Sequence, residues 1–159
     1  MWDFIKQNWG NLASVAGLII SVFTLLFAKR ASQAAKEAKA AVLRRNVADD
    51  LEDAERMAQE IITFLRGKDW RISWYIAGEL RKQAIRTHER WASLLEEESK
   101  NKIINTTLRL KFVIVNLDKI TDNDLSEKQH KKLVKAAEEV RDIFFRERER
   151  FSGRIFRLE

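Results

Sequence analysis

Two histidines, His88 and His130, and the lack of any cysteine limit what the side chains of this 159-residue chain can do. Thiol nucleophiles, Cys-ligated zinc, iron–sulfur clusters and disulfide frameworks are excluded, and two imidazoles do not make a multi-histidine metal site within one chain. No metal and no cofactor are expected. The sequence also has no Gly-rich phosphate loop, G-x-S-x-G elbow or H-E-x-x-H pair. The residues left to follow are Arg81 and His88. Seven positions apart on a helix, they share a face and lie about 10 Å from each other along the axis. Arg is rarely buried without a partner. The chemistry first expected of the pair is therefore bonding to carboxylates or carbonyls at a helix or subunit interface. His130, within Gln129-His130-Lys131-Lys132, reads as an ordinary surface residue. Arg146-Glu147-Arg148-Glu149-Arg150 reads as a solvated helix face with ion pairs.

The helix that carries Arg81 and His88 is expected from about Trp70, with Asp69 as its cap, to Glu98. With Trp70 at 0° and about 100° per residue, Trp74, Ala77, Leu80, Ala84, Ile85, Trp91, Ala92 and Leu95 fall in one apolar arc. Arg81 and His88 fall in the middle of it, which predicts a buried pair. Around this helix, Val47, Leu51, Ala54, Ala58, Ile61, Ile62 and Leu65 keep helical spacing up to a stop at Gly67. Ile103 to Leu117 contains LRLKFVIV, which alternates like a strand; a lone strand has no pairing partner, so a helix is expected there. A loop at Thr121–Asp124, with Asp124 or Ser126 as cap, leads into a last helix from about Leu125 to Arg150. Leu133, Val134, Ala137, Val140 and Phe144 face inward on it. Phe144, Phe145, Phe151, Ile155 and Phe156 imply that the C-terminus docks on its own bundle or on a neighbouring subunit. Four such helices suit a small all-α bundle.

What precedes the bundle is a membrane segment. Leu12 to Ala28 carries no charge, and at 1.5 Å per residue it spans roughly 26 Å of a ~30 Å hydrocarbon core. Trp2, Phe4 and Trp9 suit one interface, with Lys29 and Arg30 at the other. A signal peptide would carry its positive charges before the apolar run; here they follow it. The formal net charge of the chain is +6. Nearly all of it lies in a collar of Lys29, Arg30, Lys36, Lys39, Arg44 and Arg45, opposed by Glu37 alone. By the positive-inside rule the N-terminus is outside and the remainder cytoplasmic. Two domains are expected, 1–45 and 46–159. The second is nearly charge-balanced, which offers no general footprint for a duplex, and no DNA partner is expected.

Steps of four and three along the first helix select Gly10, Ser14, Gly17, Ser21, Thr24, Ala28, Ala31, Ala35 and Ala38, all small. The bulky Leu18, Ile19, Val22, Phe23, Leu25, Leu26 and Phe27 fall off that line. A 3.5-residue repeat keeps one face in register with a neighbour, and small residues let membrane helices approach closely. With one membrane helix per chain, the neighbour is another copy. Two readings stay open: a packed homo-oligomeric anchor, or a ring whose seam lines a pore.

Arg81-Lys82-Gln83-Ala84-Ile85-Arg86-Thr87-His88 matches the R-x(4–6)-H pattern of HEPN domains, helical bundles that often dimerise into ribonucleases. A single N-terminal membrane helix followed by such a bundle resembles the small accessory membrane proteins of type VI-B RNA-targeting CRISPR systems. The resemblance implies an oligomeric membrane pore that strengthens antiphage defence, with an RNA-guided effector or its RNA as a further partner. It also implies that, if catalysis occurred, His88 would be general acid or base and Arg81 would stabilise phosphorane charge, with two chains sharing a site. Lys82 departs from the pattern, because ribonuclease members usually carry Asn, Asp or His after the Arg. The motif also sits early in the bundle. The expectation is accordingly a pore or effector, with a membrane-anchored ribonuclease, a tethered scaffold or regulator, and a nucleotide-gated effector as alternatives.

Overall fold

The computed structural model describes residues 2–120 and 125–155, and side chains over 14–120 and 125–153. Every element among them is a helix: α1 (Trp2–Arg66), α2 (Trp70–Arg90), α3 (Glu97–Asp118) and α4 (Glu127–Ile155). The chain divides within α1 into two compact units, 1–42 and 43–159.

Two helices were expected where α1 runs unbroken. No Gly or Pro lies between Gly17 and Gly67, and without a breaker the first helix does not end near Arg45. The stop comes in the expected place by a different residue. The Asp69 amide bonds the Phe64 carbonyl at 2.9 Å and the Lys68 amide bonds Leu65 at 3.1 Å, the two hydrogen bonds of a Schellman turn. Its left-handed residue is Lys68, at φ 62°, while Gly67 keeps a negative φ.

In unit 1 the described side chains are almost all exposed, among them Leu18 at 68% and Leu25 at 71%. This helix is long and apolar enough to cross a membrane by length and composition. In unit 2, Leu43–Arg66 of α1 joins α2, α3 and α4 in a bundle. Its core takes Leu51, Ile61, Ile62 and Leu65 from α1, Leu80 from α2, Ile103, Leu110 and Val113 from α3, and Leu133, Val140 and Phe144 from α4, all buried.

Helix α2 ends at Arg90, eight residues before the expected Glu98. No local breaker marks the spot, so the break is tertiary. Trp91 and Leu95 both insert into the core, the Trp91 indole N–H donates to Asp50 Oδ2 at 2.7 Å, and the amides of Leu94 and Leu95 fold back on the Trp91 carbonyl. The alternating LRLKFVIV segment is helical. Ser126 caps α4: its Oγ accepts the Gln129 amide at 3.3 Å, and Gln129 Oε1 accepts the Ser126 amide at 3.2 Å. Asp69 precedes α2 without a side-chain capping bond, and Asp124 lies outside the described residues.

Candidate functional site

Arg81 and His88 are not at the centre of the core. The buried residues of α2 are Ser73, Ala77, Leu80, Ala84 and Thr87. That set is centred about 60° around the helix from the middle of the apolar arc. One residue further on runs a second line with the same steps: Trp74, Gly78, Arg81, Ile85 and His88. Trp74 and Ile85 are exposed, and Gly78, Arg81 and His88 are half-buried. The sequence arc had merged two seams, one facing the core and one facing out. Neither the Arg81 nor the His88 side chain makes a hydrogen bond or ion pair with a described residue, and Arg81 Nε is buried with no partner. The adjacent Lys82 is exposed and pairs with Glu79 at 2.7 Å.

The small-residue line of α1 is open along its described length. Ser14, Gly17, Ser21, Thr24, Ala28, Ala31, Ala35 and Ala38 are exposed, and Gly10 is helical. A Cβ added at Gly17 would meet nothing within 4 Å. Ser21 Oγ donates to the Gly17 carbonyl and Thr24 Oγ1 to the Ile20 carbonyl, both at 2.8 Å, so each hydroxyl proton is satisfied inside the helix. That arrangement lets hydroxyls lie in hydrocarbon without a lost hydrogen bond. Lys29, Arg30, Lys36, Lys39 and Arg45 of the collar are exposed and Arg44 is half-buried. The side chains of Trp2, Phe4 and Trp9 lie outside the described residues.

The alternating run on α4 hides a buried carboxylate. Glu147 is wholly buried, where a solvated face was expected. The reason is register: Leu133, Ala137, Val140, Phe144, Glu147 and Phe151 follow four-three steps, and that line faces the core. Ser99 Oγ donates to Glu147 Oε2 at 2.5 Å, and Lys102 Nζ and Arg150 lie 3.3 and 3.8 Å from Oε1. Lys102 and Arg150 also hold Glu98, at 2.5 and 3.3 Å. Hydrogen bonds from Lys102 and then Arg150 keep the Glu98 carboxyl below its ordinary value, and the Glu98 bond holds the Lys102 ammonium above its own. This five-residue cluster ties the start of α3 to the end of α4. Phe144 and Phe151 are buried beside it and Phe145 is exposed; Phe156 lies outside the described residues.

His130 departs from expectation too. Half-buried, it places Nε2 2.9 Å from the Leu65 carbonyl in the last turn of α1, with its ring edge-on to Trp70 at 5.6 Å. The Leu65 carbonyl thus accepts twice, from the Lys68 amide and from the imidazole, which ties the start of α4 to the end of α1.

A groove of about 790 Å³ separates α1 from α4, walled by Glu52, Gln59, Phe64, Arg141 and Arg148 among others. Its arginines are matched in place: Arg148 lies 2.8 Å from Glu55, Arg141 2.7 Å from Asp142 and Arg56 2.8 Å from Asp53. Among the described residues no three His, Cys, Asp or Glu side chains converge as metal ligands. No family model, curated protein or solved structure matches the chain.

Proposed function

We propose that the chain is a single-pass membrane protein that self-associates through the small-residue face of α1 into a ring enclosing a pore, with residues 43–159 in the cytoplasm. By the resemblance above, it acts in the bacterial inner membrane as an effector that strengthens RNA-guided antiphage defence. The observation that carries this reading is the face itself. From Ser14 to Ala38 it holds nothing larger than Thr, stays exposed, and offers empty space at Gly17. Lipid does not require such a face, whereas a neighbouring helix at close range does. One helix cannot enclose a conduit, so a pore needs several copies. The test is dye release from liposomes containing purified protein, paired with a C-terminal reporter active only outside the cytoplasm. Leakage with a silent reporter is expected. An active reporter overturns the orientation, and an oligomer that never conducts overturns the pore.

A second reading, a ribonuclease shared between two chains, is favoured by the buried, unpartnered Arg81 Nε and the unbonded His88 ring on one outward line. Single-stranded RNA cleavage by the purified protein, lost in His88→Ala, would establish it in place of the pore.

A further inference from the structure

Helix α3 is apolar on two opposite faces. Ile103, Leu110, Val113 and Leu117 are buried. Ile104, Leu108, Phe112 and Val115, exposed by 41, 60, 45 and 42%, form a second stripe about 180° around the helix. A helix apolar on both sides normally has cover on both, and a contiguous exposed stripe of this kind marks an interaction surface. Beside the stripe, Lys132 and Lys135 of α4 line a shallow groove together with Leu108 and Phe112. Lys128, Lys132 and Lys135 are exposed, share one face of α4 and make no ion pair with a described residue.

The complement of this surface is on the same chain. Asp49, Glu52 and Glu60 lie on one outward face of α1, exposed and without an ion pair to a described residue. Glu52 and Glu60 rim the groove of about 790 Å³, with Arg56 between them held by Asp53 at 2.8 Å and Phe64 in the wall. On α4 the lysines lie on the flank towards α3, whereas Arg141 and Arg148 of that groove lie on the flank towards α1. The face of Lys128, Lys132 and Lys135 and the face of Asp49, Glu52 and Glu60 lie on different flanks and cannot meet within one molecule. They can meet head to tail between two, and repeated contacts of that kind close into rings when the rotation allows.

We infer that the outer face of α3, with Lys128, Lys132 and Lys135 beside it, binds the acidic face of α1 on a second copy of the chain. This rests on the reading of the chain as a homo-oligomer and adds how the cytoplasmic units join. Leu108 and Phe112 are covered at this contact, and pairs between the three lysines and Asp49, Glu52 and Glu60 fix its register.

The full-length protein is assembled in detergent from light- and heavy-isotope chains and treated with a carbodiimide, which joins adjacent amines and carboxylates. Mixed-isotope cross-links between Lys128, Lys132 or Lys135 and Asp49, Glu52 or Glu60 are expected. Lys132→Glu with Lys135→Glu should reduce inter-chain cross-linking at this contact to background, as should Glu52→Lys with Glu60→Lys. All four changes in one chain should restore it with the roles reversed. The replaced side chains are exposed and unpaired, so folding is not at stake. Particles of oligomeric mass without these cross-links overturn the inference and leave the α1 assembly standing; a monomeric particle overturns both. If the lysine changes alone abolish flotation with phosphatidylserine vesicles while the acidic changes are silent, the surface meets lipid and the inference falls.

Discussion

Glu147 lies in a run of alternating charges that reads as solvent-facing, yet among the described residues it is the one fully buried ionisable side chain. Its environment explains how it stays there: a hydroxyl on one oxygen and two cations near the other. Glu147→Ala would leave the buried Ser99 hydroxyl unbonded and Lys102 and Arg150 facing a void. A loss of about 3 kcal/mol in urea unfolding is expected, with a smaller loss for Glu147→Gln, which keeps an acceptor for Ser99. Glu98 supplies the acid-side counterpart. Its carboxyl is held below its ordinary value in the folded chain, so its contribution is present at neutral pH and fades as pH falls through the folded pKa. The stability difference between wild type and Glu98→Gln should therefore be present at neutral pH and vanish in acid. A difference that persists in acid would mean the carboxylate's charge is not what the cluster uses. The register of Glu147 was legible from the four-three steps through Phe144 and Phe151. The partners were not, because Ser99 and Lys102 come from another helix. Arg81 and His88 failed for a related reason: composition gives a helix's apolar arc, and tertiary packing decides which part of that arc meets the core.

At the scale of the helices, local signals carried most of the fold. The helix over Ile103–Leu117 was correct because a lone strand has no partner, and its strand-like alternation comes from two apolar stripes on opposite sides. The Ser126–Gln129 box opens α4 where a cap was expected. The end of α2 was not legible, since Trp91 stops it by bonding Asp50 on α1. The turn after α1 gives a test of local strain. Lys68 is exposed and holds a left-handed conformation that disfavours side chains with a Cβ. Lys68→Gly should stabilise unit 2 by about 1 kcal/mol in thermal or urea unfolding. A destabilised variant would show that the Lys68 side chain contributes more than the backbone strain costs.

For the molecule as a whole, assembly depends on α1 meeting other copies of itself. Among the described residues nothing lies within 4 Å of a Cβ added at Gly17, so a side chain there starts into open space. Any effect must come from a second molecule. Phe23 lies off the small-residue line and is exposed, so Phe23→Leu should be silent. The most direct measurement is the particle mass of detergent-solubilised Gly17→Leu beside wild type and Phe23→Leu, with dye release from liposomes recorded on the same samples. An oligomer is expected for wild type and Phe23→Leu, and a smaller, non-conducting particle for Gly17→Leu. Equal mass and equal leakage in all three would contradict assembly through α1.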